Sequence, residues 1–174
     1  MEKNLTIVEI RLKFLRDLKG ITQTTLANQL HVTQALVNSW ENGYQNISLK
    51  QLVKVSYFYK VPIDYILGLT TKYSKNIYHF IPKLDALILG KNIRIIRKMT
   101  GLTQEEFALK LHTKRSNISY YESGKMIMSS ADLKEICNTF GFSADWCLGS
   151  TNTCIRREAQ IKIKDEEIKE FINI

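Results

Sequence analysis

Apolar positions recur at three- and four-residue intervals along most of this 174-residue chain, interrupted by single glycines and short polar turns. Between Thr6 and Lys19, the residues Ile7, Ile10, Phe14, Leu15 and Leu18 fall on one face of a helix. Gly20 stops it, because glycine adopts positive φ at little cost. Thr22 stands where a second helix needs an N-cap, and Leu26, Ala27 and Leu30 supply its apolar side. A third helix runs from about Gln34 to Asn42 and ends at Gly43. Ser48-x-x-Gln51 opens a fourth, and a short fifth closes at Leu67-Gly68.

The same pattern then returns. At an offset of 81 residues the chain matches itself without a gap, with 15 identities over residues 9–70. Gly20-Ile-Thr-Gln23 falls on Gly101-Leu-Thr-Gln104. Ala27, Leu30 and His31 fall on Ala108, Leu111 and His112, and Glu41-x-Gly43 on Glu122-x-Gly124. Ser48 and Leu52 fall on Ser129 and Leu133, and Asp64-x-x-Leu67-Gly68 on Asp145-x-x-Leu148-Gly149. The identities sit at caps, glycines and core sites, so they describe two copies of one fold and not a solenoid. The expected organisation is a first domain over 1–71, an aromatic-rich linker over 72–86, a second domain over 87–152 and a tail over 153–174. Tyr73, Tyr78, His79, Phe80 and Ile81 make the linker a segment that packs on its neighbours. In the tail, Ile161, Ile168 and Ile172 fit one helical stripe, while Gln160-Ile-Lys-Ile-Lys164 alternates like a strand.

In each copy the second and third helices with their three-residue turn form a helix-turn-helix candidate. Two steeply crossing helices need a small residue at their contact, which Ala27 and Ala108 provide. Val37 and Ile118 then point inward, leaving the other faces of the third helix free to enter a DNA major groove.

The stretch Gly101-Leu-Thr-Gln-Glu-Glu-Phe-Ala-x-x-Leu111 with Ile118-Ser-x-x-Glu122-x-Gly124 resembles the lambda-repressor/Cro family of XRE-type helix-turn-helix domains. Gly20-Ile-Thr-Gln-x-x-Leu-Ala-x-x-Leu30 and Trp40-Glu-Asn-Gly43 carry the same resemblance in the first copy. So do Ile63-Asp-Tyr-Ile-Leu-Gly68 and Ala144-Asp-Trp-Cys-Leu-Gly149. It covers roughly residues 6–70 and 87–151, and implies an all-α chain of two tandem five-helix domains that bind double-stranded DNA to regulate transcription. Three features depart from the family pattern, one being that the first recognition helix, with Gln34, Ala35, Leu36, Asn38 and Ser39, is short of cations where the second offers Lys114 and Arg115. His31 and His112 occupy the tight turn where glycine is common, a place histidine tolerates better than most residues. Lys114 replaces the cap Thr33, so Thr113 is expected to cap instead and to shift the helix start by one.

On this reading the base-contact candidates are Gln34, Ala35, Asn38 and Ser39 in the first copy, with Lys114, Arg115, Ser116 and Tyr120 in the second. Arg115 suits a bidentate pair with guanine and Gln34 one with adenine. Gln23 and Gln104 open the second helices, where free backbone N–H groups favour phosphate, and the resemblance puts a phosphate contact there. Asn42, Ser123 and Lys125 are further phosphate candidates. Arg16 with Glu41, and Arg97 with Glu122, recur at equivalent places and are expected to form ion pairs that hold the third helix. Trp40, Tyr121, Cys137 and Cys147 read as core residues.

Charge agrees with a nucleic-acid partner: 25 Lys and Arg against 17 Asp and Glu give +8, shared as +3 over residues 1–71 and +3 over 87–151. Three cysteines, none spaced Cys-x-x-Cys, fit reduced thiols in a cytoplasmic protein. The opening residues have no apolar signal core, and no stretch of 18 apolar residues predicts a membrane span. No metal-ligand cluster, nucleophile motif or phosphate-binding Gly-rich loop occurs, so no enzyme, cofactor, metal or small-molecule substrate is expected. The residues after Thr151 are too few for a peptidase or effector domain. Two functions remain: a DNA-binding regulator, or an antitoxin-like or adaptor module that holds a protein partner with the same fold. A homodimer is expected, paired through the tail stripe or the exposed side of the fifth helix.

Overall fold

The computed structural model describes residues 5–71 and 78–152, which contain ten helices and no strand. The first copy holds α1 (Ile7–Leu18), α2 (Gln23–Leu30), α3 (Gln34–Glu41), α4 (Leu49–Tyr59) and α5 (Ile63–Ile66). The second holds α6 (Ala86–Met99), α7 (Gln104–Lys110), α8 (Arg115–Glu122), α9 (Ser130–Phe140) and α10 (Ala144–Cys147). The local signals act as the sequence suggests. Thr22, Thr33 and Ser48 each accept a backbone N–H at a helix start. Thr103 with Glu106 and Ser129 with Asp132 complete capping boxes. The two hydrogen bonds from Thr103 hold the Glu106 carboxyl below its ordinary pKa, the backbone one most strongly. His31 and His112 take the left-handed conformation at φ 54° and 48°.

The rotation of α1 differs from the reading of its apolar stripe. Leu12 and Leu15 are buried, whereas Ile10, Phe14 and Leu18 are 50%, 51% and 73% exposed. Two apolar stripes compete on this helix, and periodicity alone does not rank them. The one with Leu12 and Leu15 turns inward, and Arg16 reaches the buried Glu41 from the same helix. In the second copy, α6 approaches α8 closely at Gly90: a Cβ there would lie 2.4 Å from the Tyr121 carbonyl oxygen and 2.9 Å from that of Glu122. Ala27 and Ala108 are buried where the motif helices meet, and Val37, Ile118, Trp40 and Tyr121 fill the space beneath α3 and α8. Cys137 and Cys147 are buried free thiols. Cys154 and the tail stripe lie outside the described residues.

Buried side chains of both copies join in one continuous core. At its centre α5 meets α10, and each copy caps the other. The Asp145 carboxylate accepts the backbone N–H groups of Ile63 at 3.0 Å and Asp64 at 2.8 Å. Asp64 in turn accepts the Ala144 N–H at 2.8 Å and the Ser143 hydroxyl at 2.5 Å. Both carboxylates are buried, so these donors stand in for water. Ser130 adds a third tie, its hydroxyl donating to the Ile47 carbonyl at 2.6 Å. From the linker, His79 N–H donates to the Ser150 carbonyl, and the Phe80 ring lies 5.7 Å from the Lys60 ammonium. The fifth-helix side expected to pair two chains is therefore not exposed: Ile63, Asp64 and Ile66, and every residue of α10, are buried within one chain.

Two substitutions test this packing. Asp145→Ala strands two buried N–H groups and is expected to cost about 3 kcal/mol. Thermal and urea unfolding should show both copies losing stability together. Gly90→Ala gains helix propensity but forces α6 off α8, and a net loss of about 1–2 kcal/mol is expected in the same assays.

Candidate nucleic-acid interface

The exposed surface of α3 and α8 is set by a polar clamp behind each helix. Arg16 donates to Glu41 twice, through Nε at 2.7 Å and Nη2 at 3.0 Å, and Nη1 holds the Ile21 carbonyl. Arg97 repeats this on Glu122 at 2.5 and 3.0 Å, with Nη1 on the Leu102 carbonyl. The carboxylates are only 3% and 5% exposed and the guanidinium side chains 12% and 14%, so these are buried pairs. The hydrogen bond to Glu41 raises the Arg16 pKa further above its ordinary value, so the charge is permanent.

Gln23 and Gln104 belong to the same clamps. Their amide nitrogens donate to Glu41 at 2.9 Å and Glu122 at 3.0 Å. Gln104 thereby commits one N–H inward and keeps the second for an outward partner, whereas Gln23 Nε2 also reaches Asn38 Oδ1 at 3.5 Å. In the first copy, Gln34 also donates to the Gln23 amide oxygen at 2.7 Å, tying the start of α3 to the start of α2. The second copy replaces Gln34 by Arg115, which has no such tie among the described contacts and is exposed.

The remaining candidates divide by exposure. Ala35, Lys114, Arg115, Ser116 and Lys125 are exposed, and Tyr120 is 47% exposed. Asn38 and Ser39 are half-buried, and the Asn38 side chain accepts the Asn42 amide at 2.9 Å. Asn42 is otherwise exposed, as is Ser123, whose hydroxyl donates to the Tyr120 carbonyl. The expected one-residue shift in the second copy does not occur. α8 begins at Arg115, level with Gln34, and Lys114 takes the N-cap position without a side-chain cap. Thr113 instead accepts the Asn117 amide at 3.0 Å, so its hydroxyl is occupied within the turn.

Arg94 was not among the sequence candidates. It lies one turn before Arg97 on α6 and is exposed, lining an open depression of about 240 Å³ with Gln104, Ser119 and Ser123. Lys13 stands at the equivalent place in the first copy and is also exposed. The spacing of a second cation one turn before the clamp arginine, present in both copies, is the signal that could have found it.

Comparison with known proteins agrees with this architecture. A model described as "Helix-turn-helix" matches residues 12–66, and one described as "Helix-turn-helix domain" matches residues 90–152. YazB of Bacillus subtilis, an uncharacterized HTH-type transcriptional regulator, is 36% identical over 62 residues, covering 36% of this chain and 90% of YazB. The HTH-type transcriptional regulator ImmR of the same organism is 28% identical over 95 residues, 49% of this chain and 75% of ImmR. The antitoxin PezA of Streptococcus pneumoniae is 39% identical over 56 residues, 32% of this chain but only 35% of PezA. No solved structure matches. The chain belongs to the XRE-type, lambda-repressor-like helix-turn-helix family, with two such domains in tandem. Among the described residues no group of His, Cys, Asp and Glu could hold a metal ion, and no helix is long and apolar enough to cross a membrane.

Removing one clamp carboxylate should be costly. Glu122→Ala leaves the Arg97 charge and the Gln104 amide without their partner, and a loss of about 3 kcal/mol is expected in urea unfolding. Glu122→Gln should recover part of it, since an amide oxygen still accepts one of the hydrogen bonds.

Proposed function

We propose that this protein is a sequence-specific, double-stranded DNA-binding transcriptional regulator that reads DNA with α3 and α8. The observation that carries this reading is the pairing of a buried clamp with a polar outer face in both copies, cationic in the second through Lys114 and Arg115. Each clamp fixes the rotation of its third helix, which is what base readout requires and what a merely soluble surface does not. Arg115 is assigned to guanine, through two parallel N–H donors, and Gln34 to adenine. Asn38, Ser39, Ser116 and Tyr120 flank them, and Ala35 offers an apolar contact for a thymine methyl. Gln104 is assigned to phosphate through its second N–H, and Gln23, at the equivalent start of α2, to phosphate in the first copy, supported by Lys13 and Arg94, with Asn42, Ser123, Lys114 and Lys125 along the same rim.

A second reading is favoured by one observation, the similarity to an antitoxin: the fold then holds a protein partner and the charge serves that contact. Salt separates the two. If the domains together neutralise about six phosphates, log K for DNA falls with log salt at a slope near −5. A flat response, or no shift of DNA in a gel, supports the protein-partner reading. A homodimer is not required to bring two reading helices together, because one chain already contains both.

Arg115→Ala is expected to weaken binding by about 1–3 kcal/mol and to relax preference at one base position. Gln104→Ala should weaken all sequences alike. Unchanged affinity and preference in Arg115→Ala would remove α8 from the role of reader.

A further inference from the structure

We infer that a single chain is a closed pseudo-dimer, and that as a monomer it covers one whole DNA operator made of two inverted but unlike half-sites. This rests on the DNA-binding reading above and adds stoichiometry, geometry and asymmetry to it. The starting point is the reciprocity at the centre of the fold. Ile63 N–H donates to Asp145 Oδ1, and Ala144 N–H donates to Asp64 Oδ1. Residues 63 and 144, and residues 64 and 145, are equivalent positions at the 81-residue offset. A contact from i to j mirrored by one from j to i is what a two-fold axis between the halves produces. Homodimers make such interfaces between two chains; here both sides lie in one.

The axis has consequences for α3 and α8. Rotation about an axis leaves height along that axis unchanged, so an axis that relates the whole copies puts the two helices at one level. They are also inverted with respect to each other, as the two strands of a DNA duplex are. The loop that follows α3 touches the other half directly, through Ser130 and the Ile47 carbonyl. The end of the first reading unit is therefore anchored at the interface. With the Asp64 and Asp145 exchange, the halves are tied at two separate places, which holds their separation.

The two-fold relation shown by the α5 and α10 contacts does not extend to the reading side chains. Equivalent outward positions carry Gln34 and Arg115, Ala35 and Ser116, Asn38 and Ser119, Ser39 and Tyr120. An arginine and a glutamine at one register position favour different bases. The matching operator is inverted in geometry and unsymmetrical in sequence. Nor is a second chain needed to complete it, because the α5 and α10 faces are already buried against each other.

The test begins with selection of bound sequences from a random DNA pool by the full chain. Sedimentation of the complex and a spacing series on the selected duplex follow. The expected result is one chain per duplex, on a site whose halves differ. A palindrome built from either half should bind at least about tenfold more weakly. Inserting five base pairs between the halves turns them about half a helical turn apart, and should reduce affinity to that of one half-site. In Asp64→Asn/Asp145→Asn the insertion penalty should shrink. If that variant does not fold, the spacing series on the unaltered chain decides alone. Two chains on a perfect palindrome, or indifference to the insertion, would overturn the pseudo-dimer while leaving DNA binding intact. Failure to enrich any sequence would overturn the regulator reading itself.

Discussion

Two buried carboxylates, exchanged between two copies of one fold, hold this molecule together. A short helix such as α5 or α10 begins with backbone N–H groups that it cannot satisfy itself. Inside a protein those groups need an acceptor, and an ionised carboxylate placed inside needs donors. Asp64 and Asp145 meet both needs at once, but only if each reaches into the other copy. The arrangement makes the halves interdependent: neither fifth helix is complete without the other copy. A pair of domains on a string would instead leave both aspartates in water and the third helices free to point in unrelated directions.

From that centre outward, each half repeats one chain of contacts. The core beneath α3 and α8 sets their depth, and the Arg16–Glu41 and Arg97–Glu122 clamps set their rotation. Gln23 and Gln104 join the clamp to the rim of the reading face. The polar side chains that would meet DNA stand at the end of this chain, and between residues 32 and 40 no position matches its counterpart in the second copy. The clamp residues Arg16, Gln23 and Glu41 are the same as Arg97, Gln104 and Glu122, whereas Gln34, Ala35, Asn38 and Ser39 all differ from their counterparts.

The helices, their caps and the tandem organisation were legible in the sequence because they follow from local chemistry: threonine and serine caps, glycine stops and a repeat without gaps. Val37, Ile118, Ala27 and Ala108 were legible for the same reason, since their places follow from the motif. The inward face of α1 was not. Of the stripe Ile7, Ile10, Phe14, Leu15 and Leu18, only Leu15 is buried, and the inward side is the one that carries Leu12 and Leu15 with Arg16 on Glu41. The cap of α8 was misread because Thr113 spends its hydroxyl on Asn117. The domain interface was hidden for a further reason. Asp64 and Asp145 were visible as a repeated residue, but nothing local distinguishes an aspartate that caps its own helix from one that caps its neighbour's.

The most direct measurement of the central claim is amide hydrogen exchange at Ile63, Asp64 and Ala144 in the free, full chain. If their N–H groups are held by the exchanged carboxylates, they open only when the halves separate, and their exchange should be as slow as that of core amides such as Ile96 and Leu133. Exchange at the rate of exposed helix ends would contradict the interface, and with it the description of the chain as one two-fold unit.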